Sequence, residues 1–301
     1  MGIIKRNLFG LLLLSEWCYQ SQVTCENHCK GPEKWHEAKN ECGLKKQSPI
    51  NIVTKKTLPD ERLTNFRFEK YQDTFSSSLK NNGHSVQVNL EHGPLISNGG
   101  LETKYKAMQF HFHWGKNGSA GSEHTVDGEQ YPMELHIVHI KEKYSTVSEA
   151  LGDPTGVAVL GFFYEESSSP NRKYDPIITS LKNIIKNGTS TPISDVSLAS
   201  LILLEKNMTS YYRYSGSLTT PNCAESVVWT VFKHTIPLGK TQLSTFSTLK
   251  FSDGTPMVNT FRPVQPLYQR QVYRSGSCIT LASVVLLTAS LLVSVRLLLP
   301  S

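Results

Sequence analysis

The chain has 301 residues, 39% of them hydrophobic, and a formal net charge of +6. This length fits one large domain or two, and because no Gly/Ser-rich linker or internal repeat divides the middle, we predict a single domain. The 31 Lys and Arg residues are scattered among 25 acidic residues instead of forming a basic stripe, which argues against a nucleic-acid-binding protein.

Residues 1–15 have the features of a secretory signal peptide. Lys5 and Arg6 precede the apolar run at 8–14, and the small residue Ser15 follows it, so cleavage is predicted near Ser15. A buried first helix is the structural alternative. The secretory interpretation gains support from three N-glycosylation sequons, at Asn117, Asn187 and Asn207.

The cysteines are consistent with an oxidising compartment. Five of the six lie outside the C-terminal tail and can form disulfides there, with one left over: Cys18, Cys25, Cys29, Cys42 and Cys223. Their spacing by itself leaves the pairing open.

Strand-like segments dominate the middle of the chain, so the fold is predicted to be mainly β. Five segments combine alternating polarity or apolar runs with β-branched and aromatic residues, and they are predicted as strands at 85–90, 109–115, 134–140, 157–164 and 227–232. Helical signals are fewer. They predict one helix at 177–186, ending before Asn187-Gly188, and another at 241–249.

The segment Gln109–Gly115 reads QFHFHWG, with polar and aromatic residues in alternation. In a strand, His111 and His113 project from one face, and the aromatic residues project from the other into a core. An isolated His-x-His pair is more often two ordinary polar residues than a metal site. A catalytic zinc site usually needs three protein ligands and an open position for water, so a third ligand is required.

The best third ligand is His136, in the strand-like run 133–140. Glu134 lies on the same face of this strand and can accept the free ring N–H of His136, a contact that metal-bound imidazoles nearly always make. Gln109 can accept the ring N–H of His111 in the same way.

A helical reading of 134–139 as Glu-x-His-x-x-His is the local rival to this strand. It would place His139 on the same face as His136. The β-branched residues Ile137 and Val138 argue against a helix here, so we predict that His139 faces away from the metal.

The C-terminal end has the features of a membrane-attachment signal. Residues 279–295 form an apolar run that is short for a spanning helix. The small residues at 275–277 precede it, which fits attachment of a glycosylphosphatidylinositol (GPI) anchor at Ser275 with removal of residues 276–301, although the polar spacer is nearly absent. A single transmembrane anchor is the alternative. Either anchor would place the domain outside the cell.

Four further motifs accompany the histidine-bearing segments: QSPINI at 47–52, NNGH at 81–84, GSEHTVD at 121–127 and GSLTTP at 216–221. Together they resemble the α-carbonic anhydrase family, in order, over residues 17–274. The resemblance implies one catalytic domain, residues 16–275, built around a large, twisted, mostly antiparallel mixed β-sheet with short peripheral helices. It also implies a zinc ion at the floor of a cone-shaped cleft, held by His111, His113 and His136.

The reaction implied by the resemblance is the reversible hydration of carbon dioxide to bicarbonate and a proton, by attack of zinc-bound hydroxide, with sulfonamide sensitivity. Three neutral imidazoles leave the zinc its full charge, which lowers the pKa of a bound water to about 7, the reference value for carbonic anhydrases. One alternative is a non-catalytic binding ectodomain, which typically lacks a zinc histidine. Another is a structural zinc domain, which needs a fourth protein ligand. We expect a monomer.

By resemblance, Thr219 accepts a hydrogen bond from the hydroxide because its own hydroxyl proton is committed to Glu123. Without the family, a loop carboxylate beside His124 would be the simpler interpretation of Glu123. The backbone N–H of Thr219 is expected to meet the substrate oxygen, and Thr220 to contact bicarbonate. Matching positions provide an apolar wall for carbon dioxide: Val138, Val159, Leu218, Val227 and Trp229.

The proton released must also leave the cleft. His84 matches the proton-shuttle position of the family, and an ordinary histidine pKa near 6.5 suits proton transfer at neutral pH. A lone loop histidine without this role is the alternative. By resemblance, the residues that order relay waters are Tyr19, Asn82 and Gln87.

The stretch Trp17-Cys18-Tyr19 and the cysteines ahead of Gln47 resemble the membrane-anchored, type-four branch of the family. That branch implies the bridges Cys18–Cys29 and Cys42–Cys223. Cys25 departs from its pattern, so a bridge between Cys18 and Cys25 is an alternative. The branch also implies a GPI-anchored enzyme at the extracellular face of the plasma membrane, where bicarbonate or proton transporters are candidate neighbours, although no residue specifies one.

Overall fold

A computed structural model of the chain describes residues 17–24, 29–91 and 93–276. The predicted signal peptide at 1–15, Cys25, and the hydrophobic tail from residue 277 onward lie outside these residues. Across the described segments, no helix combines the length and apolar character needed to cross a membrane.

Strands account for most of the regular structure. In chain order they are β1 (Asn51–Ile52), β2 (Leu58–Asp60), β3 (Phe66–Glu69), β4 (Phe75–Asn81), β5 (Val86–Asn89), β6 (Leu95–Asn98), β7 (Tyr105–Trp114), β8 (Thr125–Val126), β9 (Glu129–Gln130), β10 (Met133–Lys141), β11 (Val157–Ser167), β12 (Ser190–Val196), β13 (Tyr211–Gly216), β14 (Val227–Phe232), β15 (Ile236–Gly239) and β16 (Tyr273–Ser275). All five predicted strands are present among them.

A sheet of 13 strands forms the body of the domain, with the order β12-β4-β5-β7-β10-β11-β14-β13-β16-β2. Strand β15 pairs with β11, and β6 joins β3 to β7. Most neighbours are antiparallel, while β11 pairs in parallel with β14 and β15, and β16 with β2. A small sheet of β1, β8 and β9 lies apart. The predicted mainly β, mixed and mostly antiparallel architecture is confirmed.

Strands β7 and β10 lie side by side at the centre of the large sheet. Their antiparallel register places His111 opposite His136 and His113 opposite Glu134. All nine residues of β10 are buried, so both of its faces are packed. A slip of one residue would move every side chain to the other face, and packing on both faces therefore fixes this register.

Apolar side chains cover both faces of the sheet. The larger cluster contains Phe110, Phe112 and Trp114, the aromatic face of β7. The smaller cluster, on the other side, contains Val138 and Trp229 together with neighbouring valines. The aromatic residues hold β7 in place from behind, which leaves its histidine face directed toward the opposite side.

Short helices surround the sheet: α1 (Trp35–Ala38), α2 (Val147–Ala150), α3 (Asp175–Ser180), α4 (Leu198–Leu201) and α5 (Lys240–Thr245). The predicted helix at 241–249 is confirmed as α5 followed by a 3₁₀ turn at Phe246–Thr248. The predicted helix at 177–186 is wrong at both ends. It begins at Asp175, before Pro176, and only a 3₁₀ turn at Leu181–Asn183 continues it.

A side chain from β4 holds the non-helical segment that follows α3. The Asn81 amide donates hydrogen bonds to the carbonyl groups of Ile184 and Ile185, at 3.1 and 3.2 Å. The backbone N–H of Gly188 in turn donates to the Asn81 carbonyl, at 2.9 Å. These long-range bonds carry no local sequence signal.

Two disulfide bonds join the pairs implied by the family resemblance. Cys18 is bonded to Cys29, 11 residues away, and Cys42 is bonded to Cys223, 181 residues away. The alternative bridge between Cys18 and Cys25 is wrong, because Cys18 pairs with Cys29. The long bridge fastens the N-terminal segment to the loop at 217–221.

Loss of the Cys42–Cys223 bridge is expected to destabilise the domain more than loss of the short bridge. On the chain-entropy model the two closed loops contribute about 5 and about 3 kcal/mol, both upper figures. Urea unfolding of the Cys42→Ser/Cys223→Ser and Cys18→Ser/Cys29→Ser variants measures each loss in the free energy of unfolding. An equal loss in the two variants would contradict this ranking.

Candidate metal centre and the cleft around it

The three predicted ligands come together on one face of the central strands. His111 and His113 project from β7 and His136 from β10, with ring centroids 4.6 to 5.2 Å apart. One ring nitrogen from each residue lies within 4.8 Å of the other two. In the described part of the chain, no fourth His, Cys, Asp or Glu joins this group, as a structural zinc site would require.

The second ring nitrogen of His111 and His136 is bound by the side chain predicted for it. Gln109 Oε1 lies 2.8 Å from His111 Nδ1, and Glu134 Oε1 lies 2.7 Å from His136 Nε2. Each contact joins residues i and i+2, which share a face of a strand. These bonds fix the rings and leave His111 Nε2 and His136 Nδ1 for a metal.

His113 has a partner that the sequence did not indicate. Its Nδ1 donates to the backbone carbonyl of Thr260, 147 residues away, at 2.6 Å. Its Nε2 is buried and makes no hydrogen bond with any described residue. A buried polar nitrogen without a partner is costly, so this orphaned atom fits the role of a metal ligand.

The protonation state of the three rings suits a metal ligand. Burial, more than any other cause, lowers the pKa of His111, His113 and His136, and for His113 it lowers the pKa to about 3. The rings are therefore neutral at physiological pH, which is the form that binds a metal. Three neutral nitrogens that can reach one point fit Zn²⁺.

Glu134 is a fully buried carboxylate with four hydrogen bonds. Its Oε2 accepts the backbone N–H groups of Glu123 and His124, both at 2.9 Å. Its Oε1 accepts from the rings of His124 and His136, both at 2.7 Å. Burial alone would raise the pKa of Glu134, but His124 and His136 outweigh it and hold the pKa well below its usual range. Glu134 is therefore ionised.

A chain of side chains connects Glu134 to the loop at 216–221. Nε2 of His124 lies 2.6 Å from the Tyr214 hydroxyl, which donates to Ser48 Oγ at 2.9 Å. Ser48 Oγ also accepts the backbone N–H of Ser217, at 3.0 Å. Ser48 belongs to the QSPINI motif, and the sequence analysis gave it no role. It holds the start of the loop that carries Thr219.

Glu123 and Thr219 meet beside the three histidines. Glu123 Oε2 lies 3.4 Å from His113 Nε2 and is buried without a hydrogen-bond partner among the described residues. Burial raises the pKa of Glu123 well above its usual range, against the opposing effects of the Arg262 backbone N–H and the nearby Thr219 side chain. Thr219 is buried, and Thr220 is half-buried next to it. The pair implied by the resemblance is therefore adjacent in space.

Arg262 supports this carboxylate from near the end of the domain. Its backbone N–H donates to Glu123 Oε1 at 2.9 Å. Its guanidinium donates to Gln47 Oε1 at 2.8 Å, to the Ser48 carbonyl at 2.9 Å and to the Cys42 carbonyl at 3.0 Å. One buried residue thus joins the site to the disulfide-bonded N-terminal segment. The sequence analysis did not find Arg262, because its contacts depend on chain ends that meet only in the fold.

The five wall residues belong to one apolar cluster. Leu218 is half-buried, and the other four are buried: Val138, Val159, Val227 and Trp229. The Trp229 ring lies edge-on to the His136 ring, with 4.8 Å between centroids. The apolar wall therefore begins directly beside a ligand of the candidate metal centre.

His84 lies just before β5, the strand next to the histidine-bearing β7, and is covered by an aromatic ring. It stacks on Trp17, with centroids 3.9 Å apart and an interplanar angle of 18°. Its Nδ1 is buried without a hydrogen-bond partner among the described residues, and burial lowers the pKa of His84 to about 4. The sequence did not predict the Trp17 stack.

The three relay residues occupy the same region. The Asn82 amide donates to Gln87 Oε1 at 3.2 Å, and its Oδ1 accepts the backbone N–H of His84 at 3.0 Å. Gln87 pairs with His111 across β5 and β7. Tyr19 is fully buried, and burial and the charge of Glu123 raise its pKa well above the usual range.

The predicted modification sites lie at the surface. Asn117 and Asn187 are exposed, whereas Asn207 is half-buried. Ser275, the predicted anchor site, is the last residue of β16, where its hydroxyl donates to the Thr209 carbonyl at 2.8 Å. These positions are compatible with modification, which stays a prediction.

Comparison with known proteins identifies the family. The family model of eukaryotic-type carbonic anhydrases matches residues 30–276. Carbonic anhydrase 4 of Oryctolagus cuniculus is 40% identical over 281 residues, which cover 89% of this chain and 90% of the relative. Carbonic anhydrase 15 of Mus musculus is 36% identical over 89% of this chain and 86% of its own, and carbonic anhydrase 7 of Homo sapiens is 40% identical over 81% and 94%. The chain therefore belongs to the eukaryotic-type carbonic anhydrase family of enzymes.

Proposed function

We propose that this enzyme holds zinc through His111, His113 and His136 and catalyses the reversible hydration of carbon dioxide to bicarbonate and a proton. The observation that carries the proposal is that one ring nitrogen from each of the three histidines lies close to the other two. The second nitrogen of each ring is already hydrogen-bonded, and His113 Nε2 is buried without a partner among the described residues. A complete ligand set also disfavours the non-catalytic alternative.

Zinc in such a site acts as a Lewis acid and lowers the pKa of a bound water to about 7, the reference value for carbonic anhydrases. The protein's own contribution begins with the second ring nitrogens. Gln109, Glu134 and the Thr260 carbonyl hold the three imidazoles in their orientation, and burial keeps the rings neutral. The rings therefore add no charge of their own to the site.

Thr219 and Glu123 orient the reacting oxygen. The backbone N–H of Arg262 binds Glu123 Oε1, and Glu123 Oε2 has no partner among the described residues. In the proposed arrangement this free oxygen accepts the Thr219 hydroxyl proton. The Thr219 oxygen is then left as an acceptor, so it selects a group that can donate one proton toward it. The backbone N–H of Thr219 and the neighbouring Thr220 contact the substrate oxygens.

Carbon dioxide is apolar, and the valine and tryptophan wall gives it a dry surface beside the triad. The released proton leaves through His84. While stacked on Trp17, His84 has a pKa of about 4 and cannot hold a proton at neutral pH. The ring must therefore turn away from Trp17 to carry the proton out past Asn82 and Gln87.

The proposal includes a site of action at the outer surface of the plasma membrane. Two disulfide bonds in the described domain fit an oxidising compartment. The signal peptide, glycosylation at the three sequons and a GPI anchor at Ser275 complete this proposal, with a transmembrane anchor as the alternative. Phosphatidylinositol-specific phospholipase C cleaves the first kind of anchor and not the second.

The purified enzyme is expected to contain stoichiometric zinc and to hydrate carbon dioxide, with inhibition by a sulfonamide. His136→Ala should lower zinc affinity by more than about 100-fold and abolish hydration, whereas Gln109→Ala should lower affinity by about 10 to 100-fold, because it removes only a supporting bond. Metal analysis and a stopped-flow hydration assay measure both. His36→Ala, at an exposed residue, serves as the control. Stoichiometric zinc without hydration would contradict the proposal.

Thr219→Val is expected to lower kcat/KM by about 100-fold, as loss of one oriented polar group does, while zinc content stays unchanged. Thr219→Ser keeps the hydroxyl and should retain most activity. Because Glu123 acts through Thr219, the Thr219→Val/Glu123→Gln variant should be no slower than the slower single variant. Additive losses in kcat/KM would show that the two residues act independently.

His84→Ala is expected to lower maximal turnover in weak buffer by about tenfold or more, and added imidazole should restore it. His234→Ala, at an exposed histidine, is the matched control. In Trp17→Ala, the midpoint of the His84 titration by NMR should rise from about 4 toward 6.5, because the ring is no longer covered. Unchanged turnover in His84→Ala would refute the shuttle.

A further inference from the structure

A cavity lies at the edge of the large sheet where β13, β16 and β2 meet, and none of the three histidines lines it. Its volume is about 600 Å³, within the range of small-molecule sites. Residues from several distant segments line it, among them Lys46, Gly100, Arg213, Arg270 and Tyr273. Neither the zinc proposal nor the relay uses any of them.

Arg213 is the central cation of this cavity and is 7% exposed. Its Nη2 donates to the Gly99 carbonyl at 2.8 Å and to Thr230 Oγ1 at 2.9 Å, and its Nε donates to the same hydroxyl at 3.2 Å. Phe66 and Tyr211 lie 5.8 Å from the guanidinium carbon. These contacts hold the guanidinium in one orientation.

The remaining nitrogen of this group, Nη1, makes no hydrogen bond with the described residues. It lies near Gly100, another lining residue, because a Cβ placed on Gly100 would come within 3.3 Å of it. A buried guanidinium normally binds a carboxylate, yet no carboxylate oxygen of the described residues lies within 4.0 Å of Arg213. Asp60, which binds Arg62, acts on Arg213 only from beyond that distance. Nη1 is therefore open to a ligand.

Among the described residues, two other cations of the cavity, Lys46 and Arg270, have no carboxylate oxygen within 4.0 Å of their charged groups. The nearest acid is Glu225, which acts on Arg270 electrostatically and accepts the backbone N–H of Lys46. The Arg270 guanidinium is held by the carbonyl groups of Ser215 and Pro266, at 3.1 and 2.9 Å. The acids that line the cavity are engaged elsewhere: Asp60 binds Arg62 at 2.8 Å, and Glu102 lies 3.5 Å from Lys141. The cavity has a surplus of positive charge around a fixed arginine.

The other residues that line the cavity are suited to a ligand with hydroxyl groups. Gln269 and Tyr273 supply an amide and a phenol group. Gln271 supplies its carbonyl oxygen, because its Nε2 already donates to the carbonyl groups of Lys56 and Val272. A fixed guanidinium with flanking cations is suited to phosphate oxygens, and the amides are suited to the hydroxyls of a polyol. We propose that this cavity binds a phosphorylated polyol, with its phosphate at Arg213.

The position of the cavity suggests one source for such a ligand. Tyr273 belongs to β16, whose last residue, Ser275, is the proposed anchor site. An inositol phosphate headgroup at the membrane surface would therefore lie close to the cavity. The membrane as the source of the ligand rests on the membrane attachment proposed above. The proposal that the cavity binds a phosphorylated polyol does not rest on it, because a soluble polyol phosphate has the same chemistry.

Isothermal titration of the full-length zinc enzyme in detergent with inositol 1-phosphate tests the proposal. We expect saturable binding that Arg213→Gln abolishes and Lys46→Gln weakens by about tenfold, since each removes one charge from the phosphate. Arg172→Gln, at an arginine that is exposed and outside the cavity, is the matched control and should bind like the wild type. If Arg213→Gln does not fold, Lys46→Gln decides.

The titration must also exclude the metal centre, which could attract the phosphate. His111→Ala is expected to leave binding unchanged, because the triad is separate from this cavity. No binding by the wild type, loss of binding in His111→Ala, or equal binding by Lys46→Gln and Arg172→Gln would overturn the proposal. No binding by the wild type would leave Arg213 as a purely structural residue. None of these outcomes depends on hydration activity, so the test stands apart from that of the zinc proposal.

Reconstitution into vesicles identifies the source of the ligand. The enzyme is placed in phosphatidylcholine vesicles with and without phosphatidylinositol, and each preparation is titrated with inositol 1-phosphate. A headgroup already in the cavity would suppress the titration only when phosphatidylinositol is present. An unchanged titration would assign the cavity to a soluble ligand. Both results support the cavity as a phosphate site and differ only in where the phosphate comes from.

Discussion

The pairing of β7 with β10 is the constraint on which the rest of the site depends. This register places His111 opposite His136 and Glu134 opposite His113. Apolar packing behind β7 enforces it, because a one-residue slip would move the imidazoles into the aromatic core and the aromatic rings onto the histidine face. The same aromatic residues that supply much of the core thus also determine where the proposed metal ligands point.

Electrostatic balance around the site is achieved with very few charges. The three ligand rings are neutral because they are buried. Glu134 stays ionised in the same buried region only because four donors surround it. A half-satisfied network at this depth would cost several kcal/mol. The donors to Glu134 include the backbone of Glu123 and His124, so the loop that carries Glu123 is fixed by the bond that orients His136.

The sequence predicted the parts of this site that follow from local periodicity. Alternation along a strand was sufficient to pair His111 with Gln109 and His136 with Glu134, because each pair is two residues apart. The carbonyl of Thr260 and the contacts of Arg262 could not be predicted, since a backbone group has no residue signature and its partner lies more than a hundred residues away. The last residues of the helix predicted at 177–186 also depart from local expectation, because Ile184 and Ile185 are bound by Asn81, a partner about a hundred residues away. The disulfide pairs came from family resemblance and not from spacing.

The contacts of Thr260 and Arg262 have a consequence for biosynthesis. All three ligand histidines are translated before residue 140, whereas the groups that bind His113 and Glu123 come from residues 260 and 262. A nascent chain on the ribosome therefore carries a full set of ligands for a long interval before it has the supports that orient them. The supports of the proposed metal centre are therefore complete only when nearly the whole domain has emerged.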